Sequence, residues 1–463
     1  MIRKLSAAAL LLIGCSPAFS ADVTQFFNQN CANCHGRNLE GGQAPSLLTE
    51  NWKHGNDDAS IAHSIREGYV TNGMPSFKAA LSEAEIRAMV VLIREKRAYA
   101  QREQANFARP STDQRVASKE HAFQVKTVAE RLRTPWSIAF LPDKRMLVTE
   151  LPGGLRIIDN GEVQPAVEGT PRVRASGQGG LLAVGVHPQY SSNGWIYLSY
   201  ADGLSNGSAL TVVVRGRIKE NRWTDQETIF RADEKFYKRG GVHFGSRFVF
   251  TDTGHLFFSI GERGDKENAQ DLSRPNGKVH RVFDDGRVPQ DNPFVNQPGA
   301  YPTIWSYGNR NPQGLAAHPV TGDLWETEHG PRGGDELNVI RPGVNYGWPL
   351  ITYGMDYNGT PITALTAKEG LEQPIIHWTP SIAVCGIGFY TGDKFPRWKN
   401  NLFVTSLAAQ ELRRVVIDGR KVTSQEILFK DIGRIRDVVT GPDGALYLAM
   451  NGPDRIIRLE PAE

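Results

Sequence analysis

One pattern recurs six times between residues 130 and 450 and limits the chain to a few folds. Each copy has an alternating apolar run, a turn marked by Pro, Asp or Gly in most copies, and a second alternating run. The first and last Pro-Asp turns, at Pro142 and Pro442, lie 300 residues apart over five intervals, a mean of 60. The copies begin at Ser137–Asp143, Leu182–Pro188, Phe248–Gly254, Leu315–Pro319, Ile387–Gly392 and Val438–Gly444.

Alternation with period 2, broken by turns at this spacing, predicts a mostly β chain whose main domain is a six-bladed β-propeller with four strands in each blade. The alternative is a pair of β-sandwiches, which needs no such period. The run Phe123–Val128 precedes the first copy and resembles a strand without a partner. Because an open ring exposes sheet edges, we expect this strand to complete the last blade beside Ile456–Leu459.

The composition agrees with this fold and argues against two other classes of protein, nucleic-acid-binding proteins and disulfide scaffolds. Glycine and proline number 47 and 27, a surplus that favours tight turns and β-structure. Lysine and arginine number 53 against 50 acidic residues, and a net charge of +3 argues against a nucleic-acid-binding protein. Four cysteines in 463 residues are too few for a disulfide scaffold.

Residues 1–20 have the pattern of an export signal, with two basic residues, the apolar run Leu5–Gly14 and small residues that end at Ser20. That run is too short to cross a bilayer, and no other stretch approaches the roughly 20 apolar residues of a membrane helix. We therefore expect a soluble periplasmic protein without a transmembrane span. The alternative to cleavage after Ser20 is lipid attachment at Cys15, whose surroundings resemble a bacterial lipobox.

Cys31, Cys34 and His35 form the pattern Cys-X-X-Cys-His, which is typical of covalent c-type haem attachment. The two thiols form thioethers, and the adjacent imidazole binds the iron. A structural zinc site and a thioredoxin-like pair are the alternatives. Zinc usually needs more thiolates than this segment offers.

The second iron ligand must be a neutral sulfur or imidazole donor, and the segment offers Met74, Met89, His54 and His63. Met89 lies on the apolar face of a sequence that begins with a capping box, so we expect it inside a helix. Met74 lies in a Gly-Met-Pro loop that resembles the ligand loop of class I cytochromes c, and we assign the role to it. His63 is the main alternative.

Residues 21–105 are thus expected to form a small all-α cytochrome c domain. The sequence 106–120 is polar and aperiodic, which is typical of a linker. Residues 121–463 are expected to form the propeller.

Function on a propeller tends to lie on loops at one end of the channel. Arg310, Arg434 and Arg436 suit a planar polycarboxylate ligand, because guanidinium groups pair with carboxylates and stack on rings. Ca²⁺ accepts backbone carbonyl oxygens and would help to neutralise such a ligand. For His243 alone, a hydrogen-bonded structural role is the alternative. The polar clusters that carry these residues are His243–Arg247, Gly308–Gly314, Glu328–Glu336 and Gly433–Asp437.

Nine segments match in order those of a known family. They are Thr134–Trp136, Gly177–Leu182, His243–Gly245, Asp291–Phe294, Gly308–Gly314, Glu328–Pro331, Asp335–Asn338, Asn345–Pro349 and Arg434–Asp437. With them, residues 130–460 resemble the soluble PQQ-dependent glucose and aldose sugar dehydrogenases, also called glucose/sorbosone dehydrogenases.

The resemblance implies a six-bladed propeller that holds pyrroloquinoline quinone (PQQ) and Ca²⁺ at the end of its channel. It makes His243 the general base and places Arg310 beside the reactive carbonyls of the quinone. The other implied contacts to cofactor or substrate come from Gln178, Asn311, Arg434 and Arg436.

The resemblance also implies metal ligands. The carbonyl oxygens of Gly330 and Pro331 would bind the Ca²⁺ of the cofactor, and Glu336 with the Tyr346 carbonyl would bind a second, structural Ca²⁺. One position departs from the family: Ala408 stands where the glucose-specific members carry a cofactor-binding lysine. This departure bears on cofactor affinity and substrate range.

We therefore expect a quinohaemoprotein oxidoreductase. A sugar, or a related alcohol or aldehyde, would reduce PQQ by hydride transfer, and the c-type haem would pass the electrons singly to a downstream periplasmic acceptor. Two other classes stay open at this point. A non-enzymatic carbohydrate- or protein-binding propeller needs no arginine-rich site, and a calcium-dependent lactonase would bind its metal through side chains rather than Gly-Pro carbonyls.

Overall fold

The structure is a computed structural model that describes residues 22–462. The expected signal peptide, residues 1–20, and the alternative lipid-attachment residue Cys15 lie outside the described residues. Within the described range, no helix is long and apolar enough to cross a membrane.

Helices form the first part of the described chain. Asp22, Asp57 and Ser82 cap three of them, because each side chain accepts a hydrogen bond from a backbone N–H of the first turn. Ser82 and Glu85 form the expected capping box. The α-helices are α1 (Val23–Asn30), α2 (Ala32–His35), α3 (Asp58–Glu67), α4 (Glu83–Gln104) and, within the propeller, α5 (Tyr190–Asn193), and 3₁₀ turns lie at Val70–Asn72, Glu234–Phe236, Lys266–Ala269 and Pro396–Trp398.

Helix α4 runs through the core of this helical domain. Its apolar face packs against α1 and α3. Met89 is 1% exposed, which confirms that it is a core residue of the helix. The core side chains of the domain include Val23, Phe27, Ile61, Ile65, Ile86, Met89 and Val91.

The rest of the described chain forms six antiparallel sheets, which confirms the six-bladed propeller. Strands β1 (Arg115–Ala117) and β2 (Ala122–Ala129) belong to the last blade. The next five sheets are β3 (Pro135–Phe140), β4 (Met146–Glu150), β5 (Leu155–Asp159) and β6 (Glu162–Val163); β7 (Leu181–Val186), β8 (Ile196–Gly203), β9 (Ala209–Lys219) and β10 (Arg222–Phe230); β11 (Phe248–Phe250), β12 (His255–Ile260), β13 (Lys278–Phe283) and β14 (Ile304–Tyr307); β15 (Pro312–Ala317), β16 (Leu324–Glu328), β17 (Asp335–Ile340) and β18 (Ile376–Trp378); and β19 (Val384–Phe389), β20 (Leu402–Ser406), β21 (Glu411–Asp418) and β22 (Lys421–Lys430). The last blade adds β23 (Arg434–Thr440), β24 (Leu446–Asn451) and β25 (Arg455–Pro461).

Strand β2 closes the ring as expected, because it pairs with β25 and places Val125 opposite Leu459. Strand β1 then adds a fifth, outer strand, with Val116 opposite Phe123. The segment 106–120, expected to be a linker, therefore contributes a strand to the last blade. Its polar sequence hides that strand, since Val116 is the one buried side chain among the three residues of β1.

The innermost strands β3, β7, β11, β15, β19 and β23 contact one another around the channel. Each pairs antiparallel with the strand that follows it in its own blade. Residues that precede an innermost strand and residues that follow a second strand consequently gather at the same end of the channel. We call this end the mouth; the recurrent turns between first and second strands lie at the other end.

Candidate active site

The mouth gathers most of the expected site residues from separate blades. Gln178 and His243 precede β7 and β11, and Arg310 and Asn311 immediately precede β15. Gly330 follows the second strand of the same blade. The expected convergence of dispersed residues thus follows from blade topology.

His243 lies at the base of the mouth with only 8% of its surface exposed. Its ring Nδ1 is 2.7 Å from Oε1 of Glu262, and its backbone N–H donates to Oε1 of Gln178 at 2.8 Å. The other oxygen of Glu262 accepts the backbone N–H groups of Gly264 and Asp265. Glu262 was not found by sequence reasoning. A carboxylate soon after a second strand was the available signal, but many polar residues share it.

Burial is the main cause that lowers the pKa of His243, and the positive charge of Arg310 acts in the same direction. The hydrogen bond to Glu262 opposes them by favouring the protonated ring. The net result is an imidazole that is neutral near pH 7. A neutral imidazole whose Nδ1–H is held by a carboxylate has its other nitrogen ready to accept a proton.

Arg310 is 6% exposed and is held by backbone atoms. Its guanidinium donates to the carbonyl oxygens of His329 at 3.0 Å and Gly330 at 2.9 Å. Its own N–H donates to the Glu328 carboxylate. The Gly330 carbonyl, implied as a Ca²⁺ ligand, therefore faces the Arg310 side chain.

Several buried polar atoms at the mouth have no hydrogen-bond partner among the described residues, and two of them lie beside the implied cofactor contacts. These two are Nδ2 of Asn311 and Nε2 of His329, both buried. The Asn311 carbonyl oxygen accepts the N–H of Gly245 at 3.2 Å, so the protein uses one end of this amide and leaves the other. Because buried polar atoms normally have partners, the pair indicates room for a polar ligand.

Arg434 and Arg436 flank the buried Ile435 at the start of β23. Arg436 donates from Nε to Oδ1 of Asn451 at 2.5 Å, and burial lowers its pKa. Arg434 is exposed. Two guanidinium groups therefore stand at the mouth, one buried and one open to solvent.

The side chain implied for a second Ca²⁺ lies among other buried carboxylates. Burial raises the pKa of Glu336 to about 7. The pKa values of Glu326 and Glu328 are also raised, mainly by burial and then by repulsion from the neighbouring carboxylates. Asn338 Nδ2 is 3.1 Å from Glu326 and 3.2 Å from Glu336. Tyr346 is buried, and its hydroxyl donates to a backbone carbonyl. Across residues 22–462, no three His, Cys, Asp or Glu side chains are arranged as a metal site.

Ala408 follows the second strand β20, which is the mouth side of its blade. Its side chain is exposed, so it presents a methyl group where the resembling family has an ammonium.

The haem-attachment pattern lies where α1 ends and α2 begins. Cys31 caps both helices, and Cys34 and His35 are the last two residues of α2. Burial raises the pKa of the Cys31 thiol to about 11. Burial lowers the pKa of His35, while the Pro45 carbonyl opposes it, and the net shift favours the neutral imidazole that binds iron.

Met74 is half-buried and follows Gly73, whose φ of 87° turns the chain. Two backbone hydrogen bonds with Tyr69 close the loop. His63, the main alternative, is exposed on α3, and the assignment of the second iron ligand to Met74 stays a prediction.

Residues 132–458 match the family Glucose / Sorbosone dehydrogenase, and residues 20–93 match the family Cytochrome C oxidase, cbb3-type, subunit III. Aldose sugar dehydrogenase YliI of Escherichia coli K12 is 44% identical over 331 residues, which cover 70% of this chain and 89% of that protein. The PQQ-bound aldose sugar dehydrogenase of Streptomyces coelicolor superposes with a TM-score of 0.60 at 29% identity, over 73% of this chain and 98% of that one.

The helical domain has relatives of its own. Subunit CcoP of the cbb3-type cytochrome c oxidase of Azospirillum brasilense is 34% identical over 74 residues, which cover 14% of this chain and 25% of that protein. A cytochrome c domain on a propeller with this mouth defines an oxidoreductase of the sugar dehydrogenase class. The chain belongs to the glucose/sorbosone dehydrogenase family, the PQQ-dependent family that its sequence resembles. This membership favours the dehydrogenase over the lactonase and the non-enzymatic propeller.

Proposed function

We propose that the chain is a periplasmic quinohaemoprotein that oxidises a sugar, or a related alcohol or aldehyde, and passes the electrons to its own haem. The observation that carries the catalytic part is the neutral, buried imidazole of His243, bonded to Glu262 at the mouth. The second part is supported by the attachment pattern of the cytochrome domain on the same chain.

The mouth fits PQQ in charge and in hydrogen bonding. Arg434 and Arg436 suit carboxylates, and the unpartnered Nδ2 of Asn311 offers a donor. Gln178 already accepts from the His243 backbone, which leaves its amide nitrogen for the cofactor or the substrate. When bound, PQQ supplies the hydride acceptor and the haem the one-electron acceptor.

The protein's own contribution to the reaction is acid–base and electrostatic. Because Glu262 holds Nδ1 of His243, the Nε2 lone pair takes the proton from the substrate hydroxyl. Arg310, fixed by the carbonyls of His329 and Gly330, stabilises negative charge that develops at the mouth. Neither side chain has to move far, since the Glu262 carboxylate holds the imidazole and two backbone carbonyls hold the guanidinium.

We also propose that Ca²⁺ binds the carbonyls of Gly330 and Pro331. The Gly330 oxygen accepts from Arg310, and a carbonyl has a second lone pair. The N–H of Gly330 donates to Oδ1 of Asp335 at 2.9 Å, which fixes the turn. A second Ca²⁺ at Glu336 and the Tyr346 carbonyl would keep that carboxylate ionised against its burial.

The periplasmic location rests on the export signal in residues 1–20. The mass of the exported protein separates cleavage after Ser20 from lipid attachment at Cys15. A downstream one-electron acceptor in the same compartment would reoxidise the haem.

The test is reconstitution of the haem-containing protein with PQQ and Ca²⁺, followed by a screen of aldoses, aldehydes and simple alcohols. Absorbance reports quinone and haem separately. We expect at least one aldose to reduce the quinone and then the haem. Failure of PQQ to bind, or binding without reduction by any of these substrates, would contradict the proposal; sugar binding without a redox change would indicate the non-enzymatic alternative.

A further inference from the structure

The cytochrome domain is docked on loops of the mouth, and two propeller residues make the central contacts. Arg332 and Met355 are joined by backbone hydrogen bonds in both directions, at 2.9 and 3.0 Å. Arg332 directly follows Pro331, so this pair continues the loop to which we assign Ca²⁺. We call Arg332 and Met355 the docking bridge.

Both side chains of the docking bridge reach the cytochrome domain. Met355 is fully buried in the same apolar cluster that packs against Cys31. Arg332 donates from Nε to Oε2 of Glu95 on α4 at 2.8 Å and from a terminal nitrogen to the Thr24 hydroxyl at 3.3 Å. The Glu95 side chain is 7% exposed and the Arg332 side chain 25% exposed, so the carboxylate end of this ion pair is shielded from solvent.

Glycines let the two domains approach closely around the docking bridge. The Val23 N–H donates to the Gly359 carbonyl at 3.2 Å. Gly359 has φ 82°, and a Cβ there would lie 2.4 Å from Oδ1 of Asp22. A Cβ at Gly333 would lie 3.3 Å from the Val91 side chain. The interface is therefore packed over several positions and not made by one ion pair.

We propose that the docking bridge is a fixed electron-transfer contact between the mouth and the haem, and that Glu95 holds it closed. This inference rests on the proposed function. The path from Pro331 through Arg332 and Met355 to the cluster beside Cys31 is continuous in bonded and packed atoms. No swinging of the cytochrome domain is needed for transfer along it.

The haem takes the two electrons of each sugar oxidation one at a time. Each sugar oxidation releases two electrons and two protons. The iron passes from Fe(III) to Fe(II) once per electron, so an external one-electron acceptor reoxidises it between the two transfers, and the protons pass to solvent.

A cytochrome domain that swings on residues 106–114 is the opposing picture. Separation of the domains would expose Met355 to water and leave the Arg332 guanidinium without its carboxylate. The first change costs free energy because apolar surface returns to water, and the second removes the ion pair that joins the two surfaces. The docked arrangement is thus the stable one.

The experiment uses Glu95→Gln and Met355→Gln in the full chain, loaded with haem, PQQ and Ca²⁺, with glucose or the best aldose of the screen as reductant. We expect unchanged quinone reduction and haem reduction slowed about tenfold or more, because the docked fraction falls. A second readout needs no turnover: hydrogen exchange at the Val23 amide, bonded across the interface, should speed up by a similar factor.

Matched controls test for general damage. Glu83→Gln removes an exposed ion pair with Arg66 from the same helix α4, and Met355→Leu keeps an apolar side chain in the cluster. Both should retain wild-type haem reduction and Val23 exchange. Full haem reduction by dithionite checks the haem content of each variant, and circular dichroism checks that it is folded. A variant that fails either check is replaced by the milder Thr24→Ala, which removes one contact of Arg332.

The outcomes separate this inference from the proposed function. Wild-type haem reduction in the disrupted variants, or slowing that is equal in the controls, would overturn the docking bridge while the proposed function stands. If no sugar reduces the quinone of the wild-type protein, the proposed function itself fails.

Discussion

The cytochrome domain and the mouth of the propeller assemble their chemistry in opposite ways. The groups that attach the haem lie within five consecutive residues, at the junction of α1 and α2. The groups of the mouth extend from Gln178 to Arg436 and meet only because separate blades end at the same place. A local motif brings its own geometry, whereas a dispersed site inherits its geometry from the fold.

The two regions also differ in how firmly the protein holds their functional groups. Most polar atoms of the mouth are held by protein partners, as His243 is held by Glu262 and Arg310 by two carbonyls. The haem-attachment thiols are held less firmly, and the Cys34 thiol approaches Oε1 of Gln43 at 3.7 Å. Substitution of the haem-attachment residues should therefore abolish haem reduction completely. Single substitutions at the mouth should have graded effects on quinone reduction or PQQ binding.

The largest effect is expected from Cys31→Ala combined with Cys34→Ala. Without thioethers the protein retains no covalent haem, so haem reduction is lost completely. Quinone reduction by substrate and turnover of an artificial dye should continue, because the mouth lies in another domain. Loss of both activities would mean that the two regions are not independent. Stopped-flow absorbance reads the two centres separately.

His243→Asn should lower the rate of quinone reduction by about 10² to 10⁴. Asparagine keeps some hydrogen bonding but cannot accept the proton, so PQQ and Ca²⁺ should still bind. Rapid mixing with substrate under anaerobic conditions measures the rate. Reduction at the wild-type rate would refute the assignment, and a carboxylate such as Glu328 would then be the next candidate for the base.

Arg436→Ala and Arg434→Ala should each weaken PQQ binding by about 1.5 to 3 kcal/mol, which is the usual value of a hydrogen bond to a charged group. Arg436 should lie at the upper end because it is the more buried. Titration with PQQ monitored by absorbance gives both affinities. Equal affinities in the wild type and both variants would remove PQQ from this part of the mouth.

A smaller effect, on the pH dependence of quinone reduction, distinguishes the positioning role of Glu262 from the proton transfer by His243. The pKa of His243 is already below its ordinary value of 6.5, so quinone reduction should fall with acidity only below that pH. Glu262 raises this pKa, so Glu262→Gln should move the acid limb of the rate to lower pH. The exposed Glu267 of the same loop supplies the control, Glu267→Gln. An acid limb that stays in place or moves upward would contradict the role of Glu262.

The smallest expected effect is an increase in affinity for PQQ. Ala408→Lys restores the ammonium found in the resembling glucose-specific enzymes, at an exposed position beside the mouth. Exposed charge pairs are weak, so PQQ should bind about twofold to fivefold more tightly. The same titration measures it, with Ala408→Gln as the uncharged control. Tightening by both variants would show that side-chain length matters and charge does not.

Sequence patterning was sufficient for the blades, because period-2 alternation and turn residues are local properties. It also predicted the closing strand β2 from its missing partner. Strand β1 was not predicted, since one buried valine among three residues is too short a signal. Glu262 and the docking bridge were not predicted for another reason. Their contacts with His243 and Glu95 are formed by the tertiary structure and do not follow from any spacing in the chain.

The proposed function requires electrons to pass from the mouth to the haem within one molecule. The most direct test mixes the fully loaded protein with an excess of aldose and follows quinone and haem absorbance together at several protein concentrations. The quinone should be reduced first, and the haem should follow with a rate constant that is independent of protein concentration. A haem reduction rate that rises in proportion to protein concentration, or a haem that stays oxidised while the quinone is reduced, would contradict it.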